Sequence, residues 1–341
     1  MTGLVPESII VWGAGAIGGT IGAHLLRAGH AVTFVDVVDE HVAAINADGL
    51  TIDGPVAAFT VPARAVTPAQ MTGQHRLILL AVKAHHTEAA TRALLPYLAE
   101  DGAVVSCQNG LNELIIAEVV GRARTIGAFV NFGADYIAPG RITYGGRGAV
   151  VVGELDGATT PRITALHQLM LQFDADAVLS DNIFGYLWGK GGYGAILKSS
   201  ALTNDSIADY IADPARAKML RALVREVLTI ARAEGVSPLG FNGFDPAAFL
   251  KGDEAAIQAS MAIMETYNRG SAKSHSGIWR DLAVRQRPTD AGAQLAPMQA
   301  AARRHGLPTP LVDKLVALIA SVERGERKIG EGLAEELGEL A

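Results

Sequence analysis

Gly13-Ala14-Gly15-Ala16-Ile17-Gly18 spaces three glycines as G-x-G-x-x-G, directly after the apolar run Ser8 to Trp12 and at the opening of a helical stretch, Ala16 to Ala28. That position gives each glycine a separate role, with a tight turn at Gly13, bare backbone against a pyrophosphate at Gly15, and close helix-on-strand packing at Gly18. The helix start at Ala16 and Ile17 adds N–H groups and the positive end of the helix dipole. Asp36 closes the next apolar run, 18 residues after Gly18, where a carboxylate accepts hydrogen bonds from the adenosine ribose hydroxyls. Val37, Val38, Asp39 and Glu40 follow, with no arginine to hold a 2'-phosphate, so the pattern favours NAD over NADP.

Proton transfer is the second chemistry in view. Ile183, Leu187, Lys190, Gly194 and Lys198 fall on one stripe at helical spacing. An ammonium in a largely apolar row loses water, which lowers its pKa and makes it a usable proton donor near neutrality. From spacing alone the alternative is an ordinary solvated lysine with an ionic partner. Gly189, Gly191, Gly192 and Gly194 surround it, each costing a helix ~1 kcal/mol relative to alanine. Close approach to a cofactor or to the other half of the chain would offset that loss; a break in the helix would avoid it. On an unbroken helix Lys198 stands about 12 Å beyond Lys190 on nearly the same face, whereas a broken helix turns it to solvent. His275 is a further acid/base candidate, and no H-E-x-x-H or comparable spacing predicts a metal.

The elements that must position these groups divide the chain. Ser8 to Trp12, Ala31 to Val35, Leu77 to Val82, Ala103 to Cys107 and Thr125 to Phe132 read as strands, alternating with helices over Ala16 to Ala28, Val42 to Ala47 and Thr87 to Leu98, with Asp101-Gly102 as a helix stop. Gly133 to Gly153 reads as extra strands at the sheet edge, and Pro161 to Phe173 as a helix. Beyond Asp181 long amphipathic runs take over: Ile183 to Lys198, Pro214 to Glu234, Glu254 to Asn268, Ala291 to His305 and Leu311 to Arg324. The expected architecture is an α/β dinucleotide-binding domain with a mostly parallel, doubly wound sheet over residues 1–180, followed by an all-α domain over 181–341. The glycine-spaced tail Gly325 to Ala341 is expected to fray.

Composition narrows the partners. Lys plus Arg total 29 against 35 for Asp plus Glu, a formal net charge of -6, so no broad cationic field serves nucleic acid or anionic lipid. The single cysteine, Cys107, fits a reducing compartment and excludes an internal disulfide framework. The longest apolar run, Leu77 to Val82, falls far short of the ~20 residues that span a bilayer, and the start of the chain lacks a secretory pattern. A cytoplasmic protein with no membrane partner is expected.

Several motifs in order carry a resemblance: the Gly13 to Gly18 loop, Ala81-Val82-Lys83 and Gln108-Asn109-Gly110 at strand ends, Pro139-Gly140-Arg141-Ile142 through Gly153-Glu154, Trp188-Gly189-Lys190, and Arg287-Pro288-Thr289-Asp290. Over nearly its whole length the chain resembles the ketopantoate reductase (2-dehydropantoate 2-reductase) family. The resemblance implies a Rossmann domain joined to a helical domain and hydride transfer from a nicotinamide to a small 2-oxo acid. It implies Lys190 as general acid, Asp290 orienting it or the substrate, Lys83 and Asn109 at the cofactor, and Asn109 and Ser276 at the substrate. The chain departs from that pattern at Gly194 and Lys198, where the family usually presents asparagines, and at Asp36, which replaces its commonest basic residue for NADP. Lys198 thereby becomes a candidate for an anionic or bulky substrate end. Two rival readings remain: an NAD-dependent D-2-hydroxy acid dehydrogenase of mandelate type, and a catalytically inactive nucleotide-binding regulator. Whether the chain forms a homodimer stays open.

Overall fold

A computed structural model describes residues 8–271 and 273–341. The chain divides into two compact units between Ile183 and Phe184.

In chain order the first unit runs β1 (Ile9–Trp12), α1 (Ala16–Arg27), β2 (Val32–Val35), α2 (Asp39–Asp48), β3 (Leu50–Asp53), β4 (Phe59–Val61), β5 (Arg64–Val66) and β6 (His75–Leu80). It continues with α3 (Thr87–Leu94), β7 (Leu98–Ser106), α4 (Asn112–Val120), β8 (Thr125–Val130), β9 (Gly133–Ala138), β10 (Arg141–Gly146), β11 (Val150–Glu154), α5 (Pro161–Phe173) and β12 (Val178–Leu179). Among the described residues eight strands form the main sheet in the order β12-β11-β8-β7-β6-β1-β2-β5. β1 is buried along its whole length, as a central parallel strand covered on both faces must be. The chain leaves β1 toward β2 and later returns on β1's other side as β6, both parallel to it. That reversal opens a crevice at the carboxyl ends of β1 and β6, where open α/β sheets bind ligands.

Two expectations change here, and a third group of elements was not expected at all. Gly133 to Gly153 does not simply extend the sheet edge. β11 does join it, antiparallel to β8, but β9 and β10 pair as a hairpin and enter a separate four-stranded sheet, β4-β3-β10-β9. Only Ile142 and Tyr144 of β10 are buried, the alternation of a strand covered on one face. This sheet packs on α1, where Gly19 leaves room for the Ile142 side chain. Second, α3 ends at Leu94, since Pro96 lies in a tighter turn over Leu95–Tyr97, and Asp101-Gly102 lies within β7 instead of closing a helix. Third, β3, β4 and β5 escape the sequence pattern, because runs of three or four residues are too short to show a period.

The second unit runs α6 (Ile183–Ser199), α7 (Ile207–Ala212), α8 (Ala217–Ala233), α9 (Pro246–Lys251), α10 (Glu254–Arg269), α11 (Gly277–Trp279), α12 (Ala291–Arg304), α13 (Pro310–Glu323) and α14 (Leu333–Gly338). Leu220, Leu223, Val224, Val227 and Leu228 give α8 its buried stripe. The tail corrects the expectation of fraying: α14 buries Leu333, Ala334 and Leu337, and Glu336 takes ionic bonds from Lys314 and Arg327. Among the described residues no helix is long and apolar enough to cross a membrane.

Candidate active site

The glycine loop leaves β1 and opens α1. Gly13 sits at φ +101°, and a Cβ there would lie 2.9 Å from the Ala81 carbonyl carbon beyond β6, so the loop closes against the neighbouring strand end only with glycine. A Cβ on Gly18 would strike the Gly13 carbonyl oxygen. Gly15 differs: nothing lies within 4 Å of its would-be Cβ, so its bareness serves no contact inside the chain. Open space at that backbone fits the approach of a pyrophosphate. The helix start agrees with this, since α1 has no side-chain cap and no acidic residue in its first turn, leaving its orphan N–H groups to an anion.

Asp36 follows β2 and binds the loop from the side. Its Oδ2 accepts the Ala14 N–H at 2.8 Å and its Oδ1 accepts the Val38 N–H at 3.0 Å. Asp39 and Glu40 open α2 just beyond, and the Tyr136 hydroxyl on β9 is pushed up by burial and by the charges of Asp36 and Glu40. The surroundings of Asp36 are thus acidic in space as well as in sequence.

Lys83 and Asn109 are exposed on the loops after β6 and β7. A buried network that sequence reasoning missed ties those loops together. Gln108 Nε2 donates to the Val82 carbonyl at 2.9 Å and to Thr87 Oγ1 at 2.8 Å; Thr87 Oγ1 lies 2.9 Å from Asn112 Oδ1; Asn112 Nδ2 donates to the Asn109 carbonyl at 2.7 Å. Cys107, one residue before, is held by burial near 12 and is inert as a nucleophile.

In the second unit α6 is one unbroken helix. Gly189, Gly191 and Gly192 serve neither a helix break nor, in the contacts they make, a cofactor, whereas a Cβ on Gly194 would meet the Lys198 ammonium at 3.3 Å. A Cβ on Gly189 would strike the Leu239 carbonyl, one on Gly191 the Met298 side chain of α12, and one on Gly192 would crowd Leu228 and Phe244. Those three glycines therefore let the unit's own loop and helices close on α6, and Leu239 donates its N–H to the Gly185 carbonyl at 2.8 Å. Lys190 is half-buried on this helix.

Lys198 is buried and does not turn to solvent. The bond from its ammonium to the Gly194 carbonyl is long, 3.5 Å. Burial pulls its pKa down to about 8, while the charge of Asp290 opposes the fall. Asp290 is itself buried, at the start of α12. Glu323 of α13 fixes the residue before it, accepting both the Thr289 N–H at 2.8 Å and the Thr289 hydroxyl at 2.6 Å. The structure thus brings Lys198 and Asp290 together, eight residues along α6 from Lys190.

Ser276 is buried, and its Oγ accepts the Trp279 N–H at 3.2 Å as the cap of α11. His275 stacks on Trp279 with ring centroids 4.0 Å apart and shares a 2.9 Å bond with Ser274. Asp281, to which the sequence motifs give no role, is buried and binds Arg285 and Arg287 at 3.0 and 2.9 Å.

A doubly wound nucleotide-binding unit followed by a helical unit bearing a half-buried lysine and a buried carboxylate defines a nucleotide-dependent oxidoreductase. Two family profiles match the chain, ketopantoate reductase PanE/ApbA over residues 9–157 and its C-terminal counterpart over residues 182–323, and the chain belongs to that family. The 2-dehydropantoate 2-reductase of Mesorhizobium japonicum is 28% identical over 342 residues, covering 93% of this chain and 98% of the relative. The structure of a PanE/ApbA family ketopantoate reductase from Ralstonia eutropha superposes with a TM-score of 0.78 at 25% identity, covering 94% of this chain and 99% of that one. D-mandelate dehydrogenase, solved with NADH and anilino(oxo)acetate, shares the fold with a TM-score of 0.80 at 22% identity, over 93% and 98% of the two chains. The chain is an NAD(P)-dependent oxidoreductase acting on a CH–OH group.

Proposed function

We propose that this chain reduces a 2-oxo acid to its 2-hydroxy acid, preferring NADH to NADPH, with Lys190 as the proton donor. When bound, the nicotinamide supplies a hydride to the carbonyl carbon. Lys190 protonates the alkoxide oxygen that forms, and Asp290 orients that lysine or the substrate hydroxyl. The observation that carries this reading is the lysine of the family's Trp-Gly-Lys motif, half-buried on a helix whose other faces are packed.

Asp36 supports the nucleotide preference. Its carboxylate suits a ribose diol, and Asp39 and Glu40 beside it repel a second phosphate. For the substrate, Lys198 and the bare Gly194 favour a 2-oxo acid that is bulkier than ketopantoate or bears a second anionic group.

The test is turnover by the purified protein with NADH and with NADPH against ketopantoate, phenylglyoxylate and a dicarboxylic 2-oxo acid. Highest kcat/KM for a 2-oxo acid with NADH supports the reading. Absence of turnover with every acid, in a protein that still binds NADH, overturns it in favour of a nucleotide-binding regulator.

A further inference from the structure

His41 lies in the first turn of α2 and is 1% exposed, a buried imidazole in the nucleotide-binding unit to which neither the motifs nor the family resemblance gives a role. Both ring nitrogens are engaged by backbone. The Gly140 N–H donates to Nδ1 at 2.9 Å, and Nε2 lies 2.9 Å from the Ala14 carbonyl oxygen. An N–H can only donate and a carbonyl can only accept, so the ring is neutral with its proton on Nε2.

The carbonyl it holds belongs to the second residue of the glycine loop. In a trans peptide the carbonyl and the following N–H point in opposite directions. Drawing the Ala14 C=O inward to His41 therefore turns the Gly15 N–H outward, at the glycine whose missing side chain faces open space. Asp36 holds the preceding peptide through the Ala14 N–H. Two side chains thus fix the two peptide planes that flank Ala14. The far side of the ring is fixed too: Gly140 turns the β9–β10 hairpin at φ +70°, its carbonyl accepts the Thr51 N–H at 2.9 Å, and the Tyr136 ring meets the imidazole edge-on at 5.0 Å.

We propose that His41 is a positioning residue for nucleotide binding: its Nε2–H anchors the Ala14 carbonyl and so aims the Gly15 N–H at the pyrophosphate, while Nδ1 braces the ring on the second sheet. The proposal rests on the pyridine nucleotide occupying the glycine loop.

Two substitutions separate its halves. Gln can place an amide N–H near the position of Nε2, and Asn an acceptor near that of Nδ1. His41→Gln should keep the dissociation constant for NADH, read by fluorescence titration, within about threefold of native. His41→Asn should weaken it about tenfold, with the loss appearing in the KM for NADH and not in kcat. Equal weakening by both substitutions, or native affinity in both, overturns the proposal. Should either variant fail to fold, ¹⁵N-histidine spectra of the native protein decide: an Nε2–H tautomer at His41 supports the assignment, and an Nδ1–H tautomer overturns it. Native protein that binds neither NADH nor NADPH would instead overturn the functional reading on which the proposal rests.

Discussion

An ammonium folded into a helical interior lowers stability unless something compensates it, and Lys198 is such a group. With its pKa pulled to about 8 from an ordinary 10.5, the folded chain below pH 8 carries a cost of about 3 kcal/mol relative to the unfolded one. Between those two values the unfolded chain keeps a proton that the folded chain has released, so stability rises with pH. Lys198→Met should abolish that rise, read as the change in urea-unfolding free energy from pH 7 to pH 10. The same change in both proteins would show that Lys198 is solvated. Lys190 predicts differently, because it is expected in the reaction itself. Lys190→Ala should lower kcat by about 10²–10⁴ while NADH titration shows unchanged affinity; near-native kcat in a folded variant would remove the assignment. Spacing placed both lysines on one helical face, and the resemblance singled out Lys190. That Lys198 is buried beside Asp290 could not be read, since the two residues are 92 positions apart and meet only when α12 packs.

At the scale of elements, local pattern was informative where an element is long and covered on defined faces. α5 falls on Pro161–Phe173 as expected, because Thr160 caps it and Pro161 opens it. Gly133 to Gly153 reads as strands, but the separation of β9 and β10 from the main sheet, and β3 and β4 altogether, were illegible for the opposite reason. The four strands of the second sheet have three to six residues, and β9 buries no residue fully, so no alternation marks that strand. The glycines of α6 were legible as an anomaly but not as a cause: the Leu239 carbonyl that needs Gly189 bare comes from a loop about fifty residues on. Gly189→Ala should therefore cost about 1–3 kcal/mol of stability. Gly292→Ala, in α12 where the nearest atom to an added Cβ is 3.9 Å away, should be neutral or stabilising by up to about 1 kcal/mol. Urea midpoints for the two variants check both; a harmless Gly189→Ala would mean that the loop does not close on α6 as described.

At the scale of the molecule, alternating strands and helices followed by helices alone sufficed to read two units, since each pattern dictates its own way of burying a core. The Gly13 to Gly18 loop and Asp36, to which we assign the nucleotide, all lie in the first unit, so on that assignment nucleotide binding is coupled to the folding of that unit by mass action. NADH at about a hundred times its dissociation constant should stabilise the unit by about 2.7 kcal/mol. NADPH at the same concentration brings a phosphate dianion to Asp36, with Asp39 and Glu40 close behind, and should bind at least about tenfold more weakly, a difference of ~1.4 kcal/mol. For a unit of this size that corresponds to a gap of roughly 3–6 °C in the unfolding midpoint. Asp36→Ala should narrow the gap from both ends. On the proposed reading it relieves the repulsion of the 2'-phosphate, and it removes the proposed ribose acceptor together with the anchor of the Ala14 N–H. Scanning calorimetry of the full chain with each nucleotide, native and variant, makes the comparison. A native protein stabilised equally by both nucleotides, or more by NADPH, would show that Asp36 does not set the preference.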